Sequence, residues 1–291
     1  MPVANQVCAV VVTFRPSQQL LENVSLLLEQ VSHLIVVDNG SLGPPADLLK
    51  EIQTYARTSV IFNPSNEGIA AALNRGIKRG MEMGYDWLIT FDQDSTVSPR
   101  LVKNLQRCFL VEQHTAIAAP FYVNRNLRTS INKDRSERGE VESVMTSGML
   151  MPAWLFNQIG FMNETLFIDF VDEEFCRRTR GAGYRIIQCE EAQLLHSVGR
   201  PTKFRLLGRE FETTNHSAGR KYYWTRNRLW MLGPPTPQIE WWKEAAKAAK
   251  IMAWDTLKII LVEEDKLKKV LRIAQGAVDA IAGRMGKRVE P

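Results

Sequence analysis

Residues 7–14 read VCAVVVTF, a continuous apolar and β-branched run. A stretch this apolar, with no alternation, marks a strand buried on both faces, as the inner strands of a parallel sheet are. Working outward, Ser17–Gln30 repeats Leu20, Leu21, Val24, Leu27 and Leu28 at helical spacing. His33–Asp38 (HLIVVD) is a second buried strand, closed by the turn formers Asn39-Gly40-Ser41. The pattern then predicts a short strand at Ser59–Asn63, a helix over Glu67–Met83 with Asn66 as N-cap, and a fourth strand at Trp87–Phe91. Ser98-Pro99 opens another helix, Ser as N-cap and Pro at the first helical position. Strands alternating with helices predict βαβ units, an α/β fold and a mainly parallel sheet flanked by helices. Ligands of such sheets bind beyond the carboxyl ends of the strands. Thr13, Asp38, Asn63, Asp92 and Asp94 lie at those ends.

Beyond Pro120 the pattern changes. Asn124–Glu140 is polar and aperiodic and reads as a loop. Val141–Met151 and Tyr184–Cys189 read as further strands. Residues 196–235 hold eight Lys or Arg against Glu210 and Glu212 only, interleaved with aromatics. Such a block implies an anionic partner. Single-stranded nucleic acid would suit that mixture, but the rest of the chain is not basic, and no nucleic-acid partner is expected. Between Ile239 and Val262 the polar residues fall mostly on one helical stripe, opposite Trp241, Trp242, Ile251, Trp254 and Ile260. That describes either an interfacial helix at a membrane surface or a face packed on protein, a second subunit included. The expected organisation is a domain over 1–237, with halves 1–120 and 121–237, followed by a helical extension over 238–291. Because the motifs end by Asn227, the extension is expected to be removable from a folded core.

Composition is that of a globular chain, 45% hydrophobic and 24% charged over 291 residues. Cys8, Cys108, Cys176 and Cys189 have no zinc-type spacing, which predicts four free thiols in a reducing compartment. The N-terminal stretch lacks the basic region of a signal peptide. No run of eighteen apolar residues predicts a membrane span. A cytoplasmic protein is expected, at the inner face of the cell membrane if the C-terminal helix is interfacial.

Several constellations could carry chemistry. Phe91-Asp92-Gln93-Asp94-Ser95 delivers two carboxylates, two residues apart, from an apolar strand into a turn. Hard oxygen ligands of this kind suit Mg²⁺ or Mn²⁺ completed by substrate phosphates; the competing reading is a solvated turn. Asp38 could accept a hydrogen bond from a base or ribose, or simply close an Asx-type turn. Asn66-Glu67-Gly68-Ile69-Ala70-Ala71-Ala72 puts small residues at a helix start. Backbone N–H groups there favour phosphate, though alanines also serve close packing on a sheet. No dinucleotide or P-loop glycine pattern is present. Asp169-Phe170-Val171-Asp172-Glu173-Glu174 crowds four carboxylates into six residues, a source for a general base or a plain acidic helix start. His196, His216, Arg220 and Arg226 fall in the basic block, where phosphate contact or metal ligation competes with structural roles.

In this order the motifs resemble glycosyltransferase family 2, the inverting enzymes of GT-A fold. Within it they are similar to bacterial rhamnosyltransferases that use dTDP-L-rhamnose for O-antigen and related cell-surface polysaccharides. The stretches are VVVTFRPS, IVVDNGS, NEGIAAALNRGI, GYDWLITFDQDS, TSGMLM, FIDFVDEEFCRR and HSVG, spanning roughly Val7 to Asn227. The resemblance implies that Thr13, Phe14 and Arg15 line the nucleotide pocket and that Asp38 reads the base. Asn66, Gly68 and Asn74 would lie near the nucleotide sugar. Asp92 and Asp94 match the metal and diphosphate motif, and His196 falls where some relatives place a further metal contact. The family's Glu-Asp base motif reads Val171-Asp172. The aspartate matches and the glutamate is replaced, so Asp172 is selected as base with Glu173 as its rival. His216, Arg220 and Arg226 would face acceptor or diphosphate. The acceptor would be a saccharide, often lipid-linked. A sugar-phosphate nucleotidyltransferase is the rival class, but the Gly-rich basic loop it needs after the first strand is missing.

Overall fold

The computed structural model describes residues 7–41, 43, 45–124, 139–196, 202–206, 209–213, 215–233 and 241–291. Contacts divide the chain into two units. The first is Met1–Glu164 with Val171–Ser197, and the second is Thr165–Phe170 with Val198–Pro291. The expected boundary at 237/238 therefore falls inside the second unit.

In the first unit, β1 (Val7–Thr13), β2 (His33–Asp38), β3 (Thr58–Phe62) and β4 (Trp87–Asp92) pair in parallel in the order β3-β2-β1-β4. All seven residues of β1 are buried, as its unbroken apolar run requires. Helices α1 (Gln19–Leu28), α2 (Pro45–Gln53) and α3 (Ile69–Glu82) supply the crossovers. The sheet continues through β7 (Met149–Pro152), β6 (Thr115–Asn124), β8 (Arg185–His196) and the short β5 (Thr96–Val97), so it is mixed beyond β4. Helices α4 (Leu101–Val111), α5 (Ala153–Ile159) and α6 (Val171–Gly181) complete the unit. Gly76 shows why α3 is rich in small residues. A Cβ there would stand 2.3 Å from Val10 Cγ1, so the helix lies on β1 only because that side chain is missing.

The structure departs from the sequence reading in places. The N-cap of α3 is Gly68, not Asn66, whose Oδ1 instead accepts the Gly68 N–H at 3.0 Å in a local Asx-type turn. Strand β8 runs to His196, past the expected end at Cys189. Cys108 of α4 and Cys189 of β8 are joined as a disulfide, correcting the reading of four free thiols. Cys8 and Cys176 are free and buried. Burial pushes the Cys8 thiol up to about 12, so it packs as an inert apolar group. Most of the expected loop at Asn124–Glu140 lies outside the described residues.

The second unit holds a hairpin, β9 (Thr202–Leu206) with β10 (Arg209–Thr213), and three helices, α7 (Ala218–Met231), α8 (Trp241–Val262) and α9 (Lys266–Ile281). No strand was expected in this basic stretch. In register, Glu210 stands opposite Arg205 and Glu212 opposite Lys203, so the few acids of the block alternate with its bases across the ladder. Helix α7 is held by polar contacts to the C-terminal segment. Tyr222 Oη donates to Asp279 Oδ2 (2.6 Å) and Tyr223 Oη to the Val289 carbonyl (2.7 Å). Lys221 pairs with Asp255 (2.7 Å), and Lys269 with the fully buried Glu263 (2.9 Å). No described helix is long and apolar enough to cross a membrane.

Candidate active site

The carboxyl ends of three adjacent parallel strands carry the polar residues singled out above. Register places Val12 beside Asp92 and Thr13 beside Asp38. Thr13 and Asp38 are each 1% exposed. Asp38 Oδ1 accepts the Thr13 hydroxyl at 3.2 Å, and its Oδ2 accepts the Ser41 N–H at 2.8 Å. The Ser41 hydroxyl bonds the same carboxylate. Asp38 is thus an Asx-type cap of its own turn, held on both oxygens. Gly40 makes that turn possible, since its φ is 84° and a Cβ would meet Ser65 backbone at 2.4 Å. Asn39 ties the turn to the next strand end, accepting from Asn63 Nδ2 and Glu67 N (3.0 Å each) and donating to Asn66 Oδ1 (3.0 Å).

Phe14 and Arg15 follow β1 as the expected pocket rim. The Phe14 N–H donates to Gln93 Oε1 (2.9 Å) and the Arg15 N–H to Ser41 Oγ (2.7 Å). Arg15 is exposed, with its guanidinium 4.9 Å from the Phe14 ring centroid. Gln93, lying between the two candidate metal carboxylates, was not singled out by the sequence reading. Its side chain holds the β1 loop, and its carbonyl accepts from Asn23 Nδ2 (3.0 Å).

Asp92 and Asp94 are partly exposed at the end of β4. The turn between them is built from inside. Asp92 N donates to Ser147 Oγ (3.2 Å), and that hydroxyl meets buried Ser95 Oγ at 2.7 Å. Ser147 belongs to the TSGMLM stretch, so the motif that looked like strand alone shapes the carboxylate turn. Among the described residues no three His, Cys, Asp or Glu side chains gather as a metal cage. The donor set nonetheless suits a hard divalent cation, because Mg²⁺-type sites use one or two carboxylates and take remaining oxygens from phosphate and water. His196 ends β8, and its side chain lies outside what is described.

Asp172 stands in the first turn of α6, partly exposed, with Oδ1 accepting the Glu173 N–H at 2.9 Å. Buried Tyr122 feels the charges of both Asp172 and Asp92. Its phenol is pushed well above the ordinary value, first by burial, then by the charges of Cys176, Asp172 and Asp92, against its hydrogen bond to the Met145 carbonyl. The charges of Asp172 and Asp92 both act on this one buried phenol. Tyr122 lies in β6, a strand the sequence reading did not identify, and it carried no signal there. Glu174 is excluded as a base by its own partner: Arg178 grips both its oxygens at 2.7 and 2.8 Å. Glu173 is partly exposed.

Two expected contacts prove to be structural. Asn74 is 1% exposed and donates to the Met162 carbonyl (2.9 Å) and Glu164 Oε1 (2.8 Å), while its Oδ1 accepts the Met162 N–H. Arg226 is fully buried, with its guanidinium on the carbonyls of Thr165, Leu166 and Gly286, so it does not face a ligand. Within the second unit, Arg220 pairs with Asp169 at 3.0 Å. His216 nearby has its pKa lowered, by burial first and Arg220 second, against the pull of Asp169.

Residues 8–169, more than half of the chain, match the family described as Glycosyl transferase family 2. The dTDP-rhamnosyl transferase RfbF of Shigella flexneri is 30% identical over 247 residues, covering 78% of this chain and 80% of that protein. The N-acetylglucosaminyl-diphospho-decaprenol L-rhamnosyltransferase of Mycobacterium tuberculosis is 25% identical over 273 residues, covering 77% and 88%. Among solved structures, the mannosyltransferase PcManGT from Pyrobaculum calidifontis, in complex with GDP-Man and Mn²⁺, superposes with a TM-score of 0.57 at 11% identity, covering 96% of this chain and 88% of that one. At that identity the likeness is one of fold, the GT-A type. The protein is a glycosyltransferase, and the chain belongs to glycosyl transferase family 2.

Proposed function

We propose that this enzyme moves L-rhamnose from dTDP-L-rhamnose to a hydroxyl of a saccharide acceptor, lipid-linked, in cell-surface polysaccharide synthesis. The observation that carries the reading is the gathering of Thr13, Asp38 and Asp92 at the carboxyl ends of adjacent parallel strands in a chain 30% identical to a dTDP-rhamnosyl transferase. Another nucleotide sugar on the same scaffold is the alternative.

Thr13, Phe14, Arg15, Asp38, Asn66 and Gly68 bind the nucleotide in this reading. Asp38, held by Thr13 and Ser41, accepts from the base. Asp92 and Asp94, with His196 from β8, hold Mg²⁺ or Mn²⁺. When bound, the cation acts as a Lewis acid toward the negative charge that grows on the departing diphosphate. Asp172 accepts the proton of the acceptor hydroxyl as that oxygen attacks from the face opposite the leaving group. A single displacement inverts the anomeric centre, so a β-linked donor gives an α-L-rhamnoside.

The C-terminal helices would bring the enzyme to its acceptor at the inner face of the cell membrane. On α8, Trp242, Ala246, Ala249, Ala253, Leu257 and Ile260 form one exposed stripe, flanked by Lys243, Lys247 and Lys250. Apolar residues with tryptophan and lysine suit an anionic bilayer surface. Helix α9 favours a different partner. Leu267, Leu271, Ala274, Val278 and Ile281 are exposed at alternating spacings of four and three, the seam of a helix pair with a second copy.

Thermal shift against a set of nucleotide sugars with Mg²⁺ or Mn²⁺ tests the donor, since a ligand selective for the folded state raises the melting temperature. Stabilisation by dTDP-L-rhamnose above other donors is expected; a larger shift with a UDP- or GDP-sugar overturns it. Sedimentation with anionic vesicles, and light scattering without them, separate the two helix proposals.

A further inference from the structure

Helix α1 buries an apolar face, with Leu20, Val24 and Leu27 at 0–1% exposure. Asn23 lies on that same face, spaced from Leu20 and Leu27 as helical neighbours are, and is 3% exposed. An amide among leucines costs stability unless it is hydrogen-bonded. Here both of its ends are bonded, and both bonds leave the helix for one segment of the chain. Asn23 Nδ2 donates to the Gln93 carbonyl at 3.0 Å, and its Oδ1 accepts the Thr96 hydroxyl at 2.8 Å. A carbonyl can only accept, which fixes which end of the amide faces Gln93.

Gln93 stands between Asp92 and Asp94, and Thr96 opens β5. In the antiparallel pairing of β5 with β8, Thr96 lies opposite Leu195, the residue before His196. The buried amide therefore brackets Asp94 and reaches the strand pair that carries His196. Other bonds close the turn on itself or tie it to loops. The Ser95 N–H donates to the Asp92 carbonyl at 3.2 Å, Ser147 Oγ takes the Asp92 N–H, and the Gln93 side chain is engaged by the Phe14 N–H. Asn23 ties the middle of the turn to a helix. Such a tie matters for Mg²⁺-type cations, which demand near-ideal octahedral geometry from the few carboxylates they use.

We propose that Asn23 is a positioning residue for the metal site. By bonding the chain on either side of Asp94 it holds the carboxylates of the turn in the arrangement a divalent cation needs. It is not a ligand, because both ends of its amide are engaged by the turn. The inference rests on the reading of Asp92 and Asp94 as metal ligands.

The test titrates Mn²⁺ into the full-length protein with dTDP present and follows the electron paramagnetic resonance signal of the free ion. Affinity for dTDP is measured separately in excess chelator. Asn23→Leu replaces the amide by an apolar group of similar size that suits the face of α1. Asn23→Asp keeps the acceptor for Thr96 and removes the donor to Gln93. Asn23→Leu is expected to weaken Mn²⁺ binding about 10-fold, the lower end of what losing a group that orients metal ligands costs, with dTDP affinity in chelator unchanged. Wild-type Mn²⁺ affinity in Asn23→Leu overturns the proposal, even if the variant melts earlier, because a purely structural residue behaves that way. An equal loss of dTDP affinity in chelator also overturns it, since the whole pocket would then be disturbed. If Asn23→Leu yields no folded protein, Asn23→Asp decides by the same criteria. Asp94→Ala runs in parallel. If the wild-type protein takes up no Mn²⁺, or Asp94→Ala takes it up unchanged, the metal reading has failed and the inference with it. If Asp94→Ala loses Mn²⁺ while the Asn23 variants keep it, only the positioning inference falls.

Discussion

The two units place their side chains by opposite rules. In the first, Val7–Val12, Leu34–Val37 and Ile89 are buried at 0–6% exposure, and carboxylates stand at strand ends. In the second, Lys221, Arg226, Asn227, Glu263, Lys269 and Asp279 are buried, while Trp242, Leu267, Leu271, Val278 and Ile281 are exposed. The first unit is stabilised by removing apolar area from water. The second depends on buried charges that are tolerable only while each keeps its partner. Glu263 shows the balance: burial raises its pKa, but the Thr213 hydroxyl, Lys269 and Lys221 outweigh that, so it is lowered overall.

The largest expected effect tests the site of the first unit. Asp172→Asn should lower turnover by ~10²–10⁴ while leaving donor binding near normal. Glu173→Gln should be much milder; a dead Glu173→Gln beside an active Asp172→Asn would move the base by one residue. Asp94→Ala should cost at least ~10² in turnover without unfolding the protein. Full activity in excess chelator would falsify the metal role.

Next come two stability measurements that set the units against each other. Glu263→Ala leaves Lys221 and Lys269 facing a buried gap and should cost about 3–5 kcal/mol. Leu34→Ala, a cavity in the sheet core, should cost about 2–5 kcal/mol. If Glu263→Ala costs less than about 1 kcal/mol in denaturant melts, the buried network is not what holds α7, and the contrast collapses. Deleting 241–291 also removes the partners of Tyr222, Tyr223 and Arg226, so α7 should lose protection from proteolysis. The sequence reading had treated that segment as dispensable.

A smaller effect is pH dependence. The pKa of His216 is depressed from 6.5 in the folded state. The unfolded chain therefore takes up the proton first as pH falls through 6.5. Its contribution to stability is present above that value and is lost below it. Replacing His216 by Gln should flatten melting temperature between pH 7 and 5. A steeper fall in the variant would reverse the sign argued here. The smallest effect is Leu271→Ser on α9, expected within about 0.5 kcal/mol for a lone exposed side chain. A drop of several degrees that grows on dilution would instead reveal a second copy covering the stripe.

The parallel strands, their order of burial and the polar residues at their ends were legible in the sequence. A strand buried on both faces has nothing but apolar residues to offer, and the switch from Ile-Val-Val or Ile-Thr-Phe to Asp announces where it emerges. A pair of carboxylates close in the chain, as Asp92 and Asp94 are, shows in the same way. The tertiary structure decided what depends on residues far apart. It alone shows Gln93 holding Phe14, Ser147 shaping the Asp92 turn, and the Tyr122 hydroxyl on the Met145 carbonyl. It also reassigned Asn74 and Arg226 from ligands to scaffold. Their side chains are as polar as any binding residue, and only the carbonyls they reach, 61 residues away for Leu166 and Asn227, distinguish the two roles. Hydrophobic periodicity reports which face a helix buries when apolar groups drive the packing; it is silent for α7, whose buried face is bonded through charges and amides.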